Sequence, residues 1–165
     1  MAYKEYQSGI VEVVFGEDVK VVHPVNMYHC RLGNHVFVGP FTEIQRSVII
    51  GDYTKVQSHS FICELVTIGS HCFIGHGVMF INDLFSEGGP AGGDASQWKA
   101  THIGNRVSIG SNATILPVNI CDGAVIGAGS VVTKDISMPG IYVGNPAKLL
   151  RPLGSEKKEK KTNSI

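Results

Sequence analysis

The sequence predicts an all-β fold, a solenoid of short parallel strands wound into a three-sided prism. Three observations carry the prediction. First, a large apolar residue recurs every six positions: Ile68, Ile74 and Phe80 keep the beat, with Gly69 and Gly75 directly after the first two. Second, a small or branched residue stands four places after each large one, as Cys72 and Val78 do here. Third, a period of six fits neither the α-helix nor a heptad, and glycines recur too often for a helix. Each hexad is one short strand and one corner, and three hexads close a coil of about 18 residues that pairs its backbone with the next. The large residue points into the prism and the small one fills the space near the corner. Glycine after the large residue suits a close backbone turn.

Residues 1–14 are polar and then apolar without a clear beat, and are expected to cap the leading end. The solenoid is expected over 15–137. Its large positions are Phe15, Val21, Met27, Leu32, Val38, Ile44, Ile50, Val56, Ile62, Ile68, Ile74 and Phe80, with the step from Met27 to Leu32 one residue short. The beat resumes at Ile103 and runs through Ile109, Ile115, Ile120, Ile126 and Val132, one residue short between Ile115 and Ile120. Six coils at the strand spacing of about 4.8 Å give a prism roughly 25–30 Å long. Residues 81–102 interrupt the beat with a glycine-rich loop that carries the only tryptophan, Trp98. A loop of this length in a compact domain is usually functional or disordered, and the trailing tryptophan argues for one that packs down. Past Val132 the beat fades, and Pro139 and Pro146 stop further strand pairing. Residues 138–153 are expected to cover the open edge of the last coil. The remainder, 154–165, is charged and low in complexity and is expected to be a disordered tail.

The 165 residues suffice for one domain with a sizeable core, and 14 basic residues balance 14 acidic ones. Neutrality speaks against nucleic acid or an anionic membrane as the main partner, since both reward basic excess. No apolar run reaches a membrane span, and MAYKEYQSG lacks the apolar core of a signal peptide, so a cytoplasmic protein is expected. Cys30, Cys63, Cys72 and Cys121 have no CxxC spacing and are expected as free thiols.

Beyond the beat, three stretches carry a resemblance: QSHSFICELVTIG at 57–69, FIGHGVMFIND at 73–83, and IGSNATILPVNICDGAVIGAGSVVTKDI at 109–136, followed by VGNPAK. Over roughly residues 15–152 the chain resembles the hexapeptide-repeat acyltransferases. It looks closest to those that N-acetylate nucleotide-linked amino sugars, UDP or dTDP, for surface polysaccharides. The resemblance implies a left-handed parallel β-helix, where the usual crossover preference would give the opposite hand. It also implies a homotrimer with acetyl-CoA as co-substrate in the groove between neighbouring prisms, and no metal. Phe37, Phe61 and Phe73 fall at the outward sixth hexad position, which independently argues for a partner surface. For coenzyme A the resemblance points to Gly110 and Ala128 along the pantetheine arm, Lys148 and Arg151 at the phosphates, and Asn145 and Pro146 at the adenine end.

Transfer from a thioester to an amine needs a neutral amine, contact between the reactants, and a donor for the oxyanion. Asn82 stands where the matching sugar N-acetyltransferases carry an asparagine at the reacting centre. An amide is no base, so its role there would be orientation. Asp83 could bind the amine or help deprotonate it, and Glu64 and Trp98 are candidates for sugar contact. His59 and His76 belong to consecutive coils on one face, roughly 5–8 Å apart by the strand spacing, and either suits a general base. The family's O-acetyltransferases use a histidine base in a loop containing His-Pro; FIND stands there instead, which weakens the case for histidine as an obligatory base. That leaves two alternatives, an amine that arrives neutral and an O-acetyltransferase with His59 or His76 as base.

Two other classes compete. Proteins resembling γ-carbonic anhydrase bind zinc through three histidines, and His35, His71 and His76 share that spacing. Their register against the large apolar residues differs, however, and a one-residue shift turns a strand residue to the other face. A noncatalytic solenoid used as a scaffold is the other alternative, opposed by the interrupted repeat and the tail.

Overall fold

The structure, a computed structural model, describes residues 3–5 and 7–154, so the expected charged tail lies outside the described residues from position 155 onward. Within them the chain forms strands of two to five residues and a single 3-10 turn, Ala95–Gln97. The strands stack into three parallel sheets of seven, six and eight members, which are the faces of the prism. The first face runs from Ile10–Val11 to Val131–Val132, and the second from Val14–Phe15 to Asn119–Ile120. The third begins at Lys20–Val21 and ends in Gly140–Val143, to which Lys148–Pro152 adds an antiparallel edge. Strand pairing therefore continues past Pro139 and Pro146, against expectation, because both prolines fall between the strands. The stack holds seven rungs on its first face, because Ile10–Val11 already pairs with Asn26–Tyr28, ahead of Phe15. No helix among the described residues is long and apolar enough to cross a membrane.

The six-residue beat is the core. Every large position from Met27 to Phe80 and from Ile103 to Val132 is buried, and so are the small positions from Val25 to Val78. The exceptions are Phe15, 42% exposed, and the half-buried Val21, because each belongs to the first strand of its face at the open leading end. The small positions that are polar are buried too, and their hydroxyls tie rungs together. The Thr54 hydroxyl donates to the Gly69 carbonyl (2.8 Å) and accepts the Cys72 N–H (3.0 Å). Thr54→Val keeps the shape but strands that N–H, and should cost about 1–3 kcal/mol. Thermal unfolding that matches wild type would refute this role.

The glycine after the large residue serves a purpose other than the expected turn. Gly75 has no left-handed φ, and a Cβ there would stand 2.7 Å from Ser111 N and 2.8 Å from Ile109 O of the next rung. Stacking distance, not turn geometry, forbids a side chain. The left-handed residue comes later in each corner. At one corner Asp18, His35, Tyr53, His71 and Arg106 all have φ between 51° and 58°. His29 and His59 hold the same conformation at other corners, so four of the seven histidines sit where the backbone favours Asn, Asp and His. The histidine excess is therefore largely conformational.

At the corner of Tyr53 and Arg106 the residue before the left-handed position carries a second ladder. Asp52 Oδ1 accepts the Asn34 N–H (2.7 Å), Asn105 Oδ1 that of Ser70 (2.9 Å), and Asp122 Oδ1 that of Asn105 (2.8 Å). These bonds, the Asn105 backbone first, hold the Asp122 carboxyl below its ordinary 3.8. A depressed folded value contributes stability above the unfolded one and loses it as the pH falls through the folded one. Asp122→Asn keeps the acceptor and removes the titration, so its melting temperature should fall less steeply than wild type below about pH 3.8. Equal slopes in acid melts would refute the contribution.

The outward phenylalanines divide between two faces. Phe37 and Phe73 flank Lys55 on the third face, whereas Phe61 lies between Glu43 and Met79 on the first. They do not form one cluster.

Candidate active site

His59 and His76 occupy the corner between the third and first faces. The strands that lead into them pair Lys55 with Phe73 and Val56 with Ile74. Counting on from this register sets His76 over Ser58 and Gly77 over His59. His76 Nδ1 and Ser58 Oγ are 2.8 Å apart, a hydrogen bond that fixes the imidazole through Nδ1. The His59 ring instead stacks on Phe41, centroids 4.8 Å apart. Both histidines are exposed. Ser58 was not singled out from the sequence, although the coil length alone sets position 76 over position 58.

The same corner continues upward into the residues expected at coenzyme A. Gly110 lies against Ala128 on the next rung, so closely that any Cβ at Gly110 would collide with the Ala128 backbone. Above them the chain 144–147 crosses the corner. Val131 N–H donates to the Gly144 carbonyl (2.9 Å), Ala147 N–H to the Val131 carbonyl (2.8 Å), and Gly144 N–H to Ser130 Oγ (3.0 Å). Asn145 and Pro146, joined by a cis peptide, are exposed at the top, and Lys148 opens the antiparallel edge strand that also contains Arg151. One corner thus runs from His59 through Gly77, Gly110 and Ala128 to the crossing chain 144–147.

Asn82, Asp83 and Glu64 lie elsewhere. Asn82 follows the strand Met79–Phe80, which His76 precedes, so the width of the first face separates them within one chain. Asn82 Nδ2 donates to the Glu64 carbonyl (3.3 Å), and its own carbonyl accepts the Lys99 N–H (2.9 Å), which joins the two ends of the loop. The Asp83 carboxylate is engaged by the loop backbone, with Oδ1 on Phe85 N (2.9 Å) and Oδ2 on Ala91 N (2.8 Å). Glu64 is held by Arg46 (Nε–Oε1 3.3 Å), and its N–H donates to Gln45 Oε1 (3.3 Å). Burial first, then Glu43 and Glu64, push the nearby Tyr28 hydroxyl above its usual range. Trp98 ends the 3-10 turn, which Asp94 caps through Ser96 N (3.0 Å), and is half-buried. Arg46 and Gln45 are the members of this cluster that sequence reasoning missed, because both read as ordinary corner residues.

The zinc spacing does not become a site within the chain. His35 and His71 sandwich Tyr53 at one corner, with ring centroids 4.6 and 4.9 Å apart, and His76 stands at another corner. Among the described residues no group of three or more His, Cys, Asp or Glu could hold a metal. The cysteines are free, and burial pushes Cys30 up to about 11 and Cys63 to about 12, so neither presents a thiolate at neutral pH.

Comparison with known proteins agrees with the repeat. The bacterial transferase hexapeptide model (six repeats) matches residues 29–64, and the hexapeptide repeat of succinyl-transferase matches 101–134. A putative acetyltransferase of Staphylococcus aureus is 41% identical over 76 residues, which cover 46% of this chain and 33% of that protein. A probable macrolide acetyltransferase of Lysinibacillus sphaericus is 49% identical over 59 residues, covering 35% of this chain and 33% of that one. The matched stretch thus spans about a third of the length of these relatives. Among solved structures, a perosamine N-acetyltransferase variant from Caulobacter crescentus with CoA and GDP-perosamine superposes with a TM-score of 0.61 at 24% identity, covering 83% of this chain and 56% of that one. A hexapeptide-repeat acetyltransferase from Vibrio cholerae gives 0.58 at 26%, with coverages of 85% and 73%. A maltose O-acetyltransferase from Clostridium difficile gives 0.58 at 22%, with coverages of 86% and 70%.

Proposed function

We propose that this chain, which carries the repeats of the bacterial hexapeptide transferases, moves an acetyl group from acetyl-CoA to the amine of a UDP- or dTDP-linked amino sugar, for surface-polysaccharide synthesis. The observation that supports the reading is the run of one corner from His59 and His76 through Gly110 and Ala128 to the crossing chain 144–147, beside which Lys148 and Arg151 stand in the antiparallel edge strand. A pantetheine arm laid along it brings the thioester to the histidine corner, with the phosphates at the basic tail. The amine nitrogen attacks the thioester carbon, the C–N bond forms as the C–S bond breaks, and the thiolate takes the proton that the amine gives up.

Asn82 orients the amine in this scheme. Within one chain it stands across the first face from the histidines, so it meets them only if a second copy supplies it. That requirement favours a homotrimer over a monomer. Asp83 and Trp98 shape the loop around the sugar, and Glu64 supports Asn82 through its carbonyl. A monomeric mass by sedimentation at micromolar concentration would defeat the arrangement. The direct test offers acetyl-CoA with a panel of UDP- and dTDP-linked amino sugars and reads the product by mass spectrometry; no acetylated sugar in any pair would refute the reading.

One observation favours O-acetyl transfer instead: the Ser58–His76 hydrogen bond holds an imidazole as a general base requires. The pH profile separates the two. If the amine arrives neutral, His76→Ala costs less than Asn82→Ala and leaves the shape of the rate–pH curve intact. If His76 is the base, the variant loses the rise near pH 6–7 where imidazoles titrate.

A further inference from the structure

A cleft of about 630 Å³ opens on the third face near the leading end, lined by Asp18, Lys20, His35, Phe37, Lys55 and Gln57. The strand register builds its floor. Lys20 pairs with Phe37 and Phe37 with Lys55, one outward side chain per rung, and Phe73 follows on the rung above. Two lysines therefore stand about 10 Å apart at Cα with an aromatic ring between them. Among the described residues neither ammonium has an ion-pair partner, whereas the one carboxylate of the cleft, Asp18, is held by His35 Nδ1 at 3.5 Å. Unpaired cations around an apolar ring suit a ligand with closely spaced negative charges and a flat ring.

The position of the cleft narrows the choice. At one end the cleft is lined by Gln57, the residue directly before Ser58 and His59, so its edge adjoins the histidine corner. At the other extreme of the stack, Lys55 is four rungs from Ile141, about 19 Å. The tail assigned to coenzyme A lies beyond that distance, which leaves the leading end to the other substrate.

We infer that this cleft binds the nucleoside diphosphate of the acceptor, with the diphosphate between Lys20 and Lys55 and the base against Phe37. The assignment rests on the acetyl-transfer reading above, and it directs the linked sugar along Gln57 to His59 and His76. Coenzyme A also contains a nucleoside diphosphate, so the test must separate the two sources.

Isothermal titration of the full chain with UDP, with dTDP and with CoA does so. Lys20→Glu and Lys55→Glu should each weaken UDP or dTDP binding by about 10-fold or more and leave CoA binding within about 2-fold, while Lys20→Arg and Lys55→Arg retain both. Unchanged nucleoside diphosphate binding in the glutamate variants would overturn the assignment. So would wild-type protein that binds neither UDP nor dTDP, or variants that lose CoA alone. Loss of UDP or dTDP binding in the arginine variants as well, with assembly mass altered, would mean the face packs against another copy and would equally overturn it. Acetyl transfer is read in parallel. Lysine-dependent UDP binding without transfer to any sugar would remove the transfer reading and keep the cleft; full transfer in both glutamate variants would do the reverse.

Discussion

Asn82→Ala should leave assembly and melting temperature close to wild type and cut kcat/KM by about 10–1000-fold, the span for one well-placed polar contact at a reacting centre. The structure sharpens the control. Asn82 uses its backbone carbonyl to hold Lys99, and alanine keeps that bond; only the Nδ2 contact with the Glu64 carbonyl is lost. Steady-state kinetics of Asn82→Ala, His59→Ala and His76→Ala on one amino sugar decide the matter. An Asn82→Ala enzyme with wild-type kcat/KM would move the reacting centre to the histidine corner alone.

The second large effect concerns the tail. Ending the chain before Gly144 should lower CoA affinity by about 10-fold or more, since it removes Asn145, Pro146, Lys148 and Arg151 together. The solenoid should survive, because Gly140–Val143 still pairs with Val125–Ile126; the antiparallel edge Lys148–Pro152 and the bonds of Gly144 and Ala147 to Ser130 and Val131 are lost. Calorimetric CoA titration and far-ultraviolet circular dichroism test the two halves. Aggregation with loss of the strand spectrum would make 144–153 chiefly a cap, a role its bonds to Val131 and Ser130 already suit.

The core was legible in the sequence because one position in six must face the prism, so the beat from Met27 to Phe80 names its own burial. The leading rung was not legible, because Ile10–Val11 pairs without the glycine and small-residue signature of later coils. At the site, the histidines and Asn82 were visible as residues, but their relation was not. Whether two corner residues meet depends on the coil register, which one-residue steps such as Met27 to Leu32 shift. Ser58 under His76 follows from that register; the Arg46–Glu64 pair depends on side-chain reach, which spacing does not encode. The engagement of Asp83 by Phe85 and Ala91 was hidden for a different reason, since loop conformation has no period to read.

The hydrogen bond between Lys99 and Asn82 has a consequence for how such a protein can change. Across the insertion, Val66 pairs with Thr101 in the same ladder that joins Thr67 to Ile49, so the prism resumes its register as if nothing had been added. The excursion leaves and returns through one latch. Its interior can be lengthened, shortened or replaced at a closure cost that grows only with the logarithm of its length. Change in the loop is thereby uncoupled from folding: a new loop can replace the old one while the stack beneath stays the same.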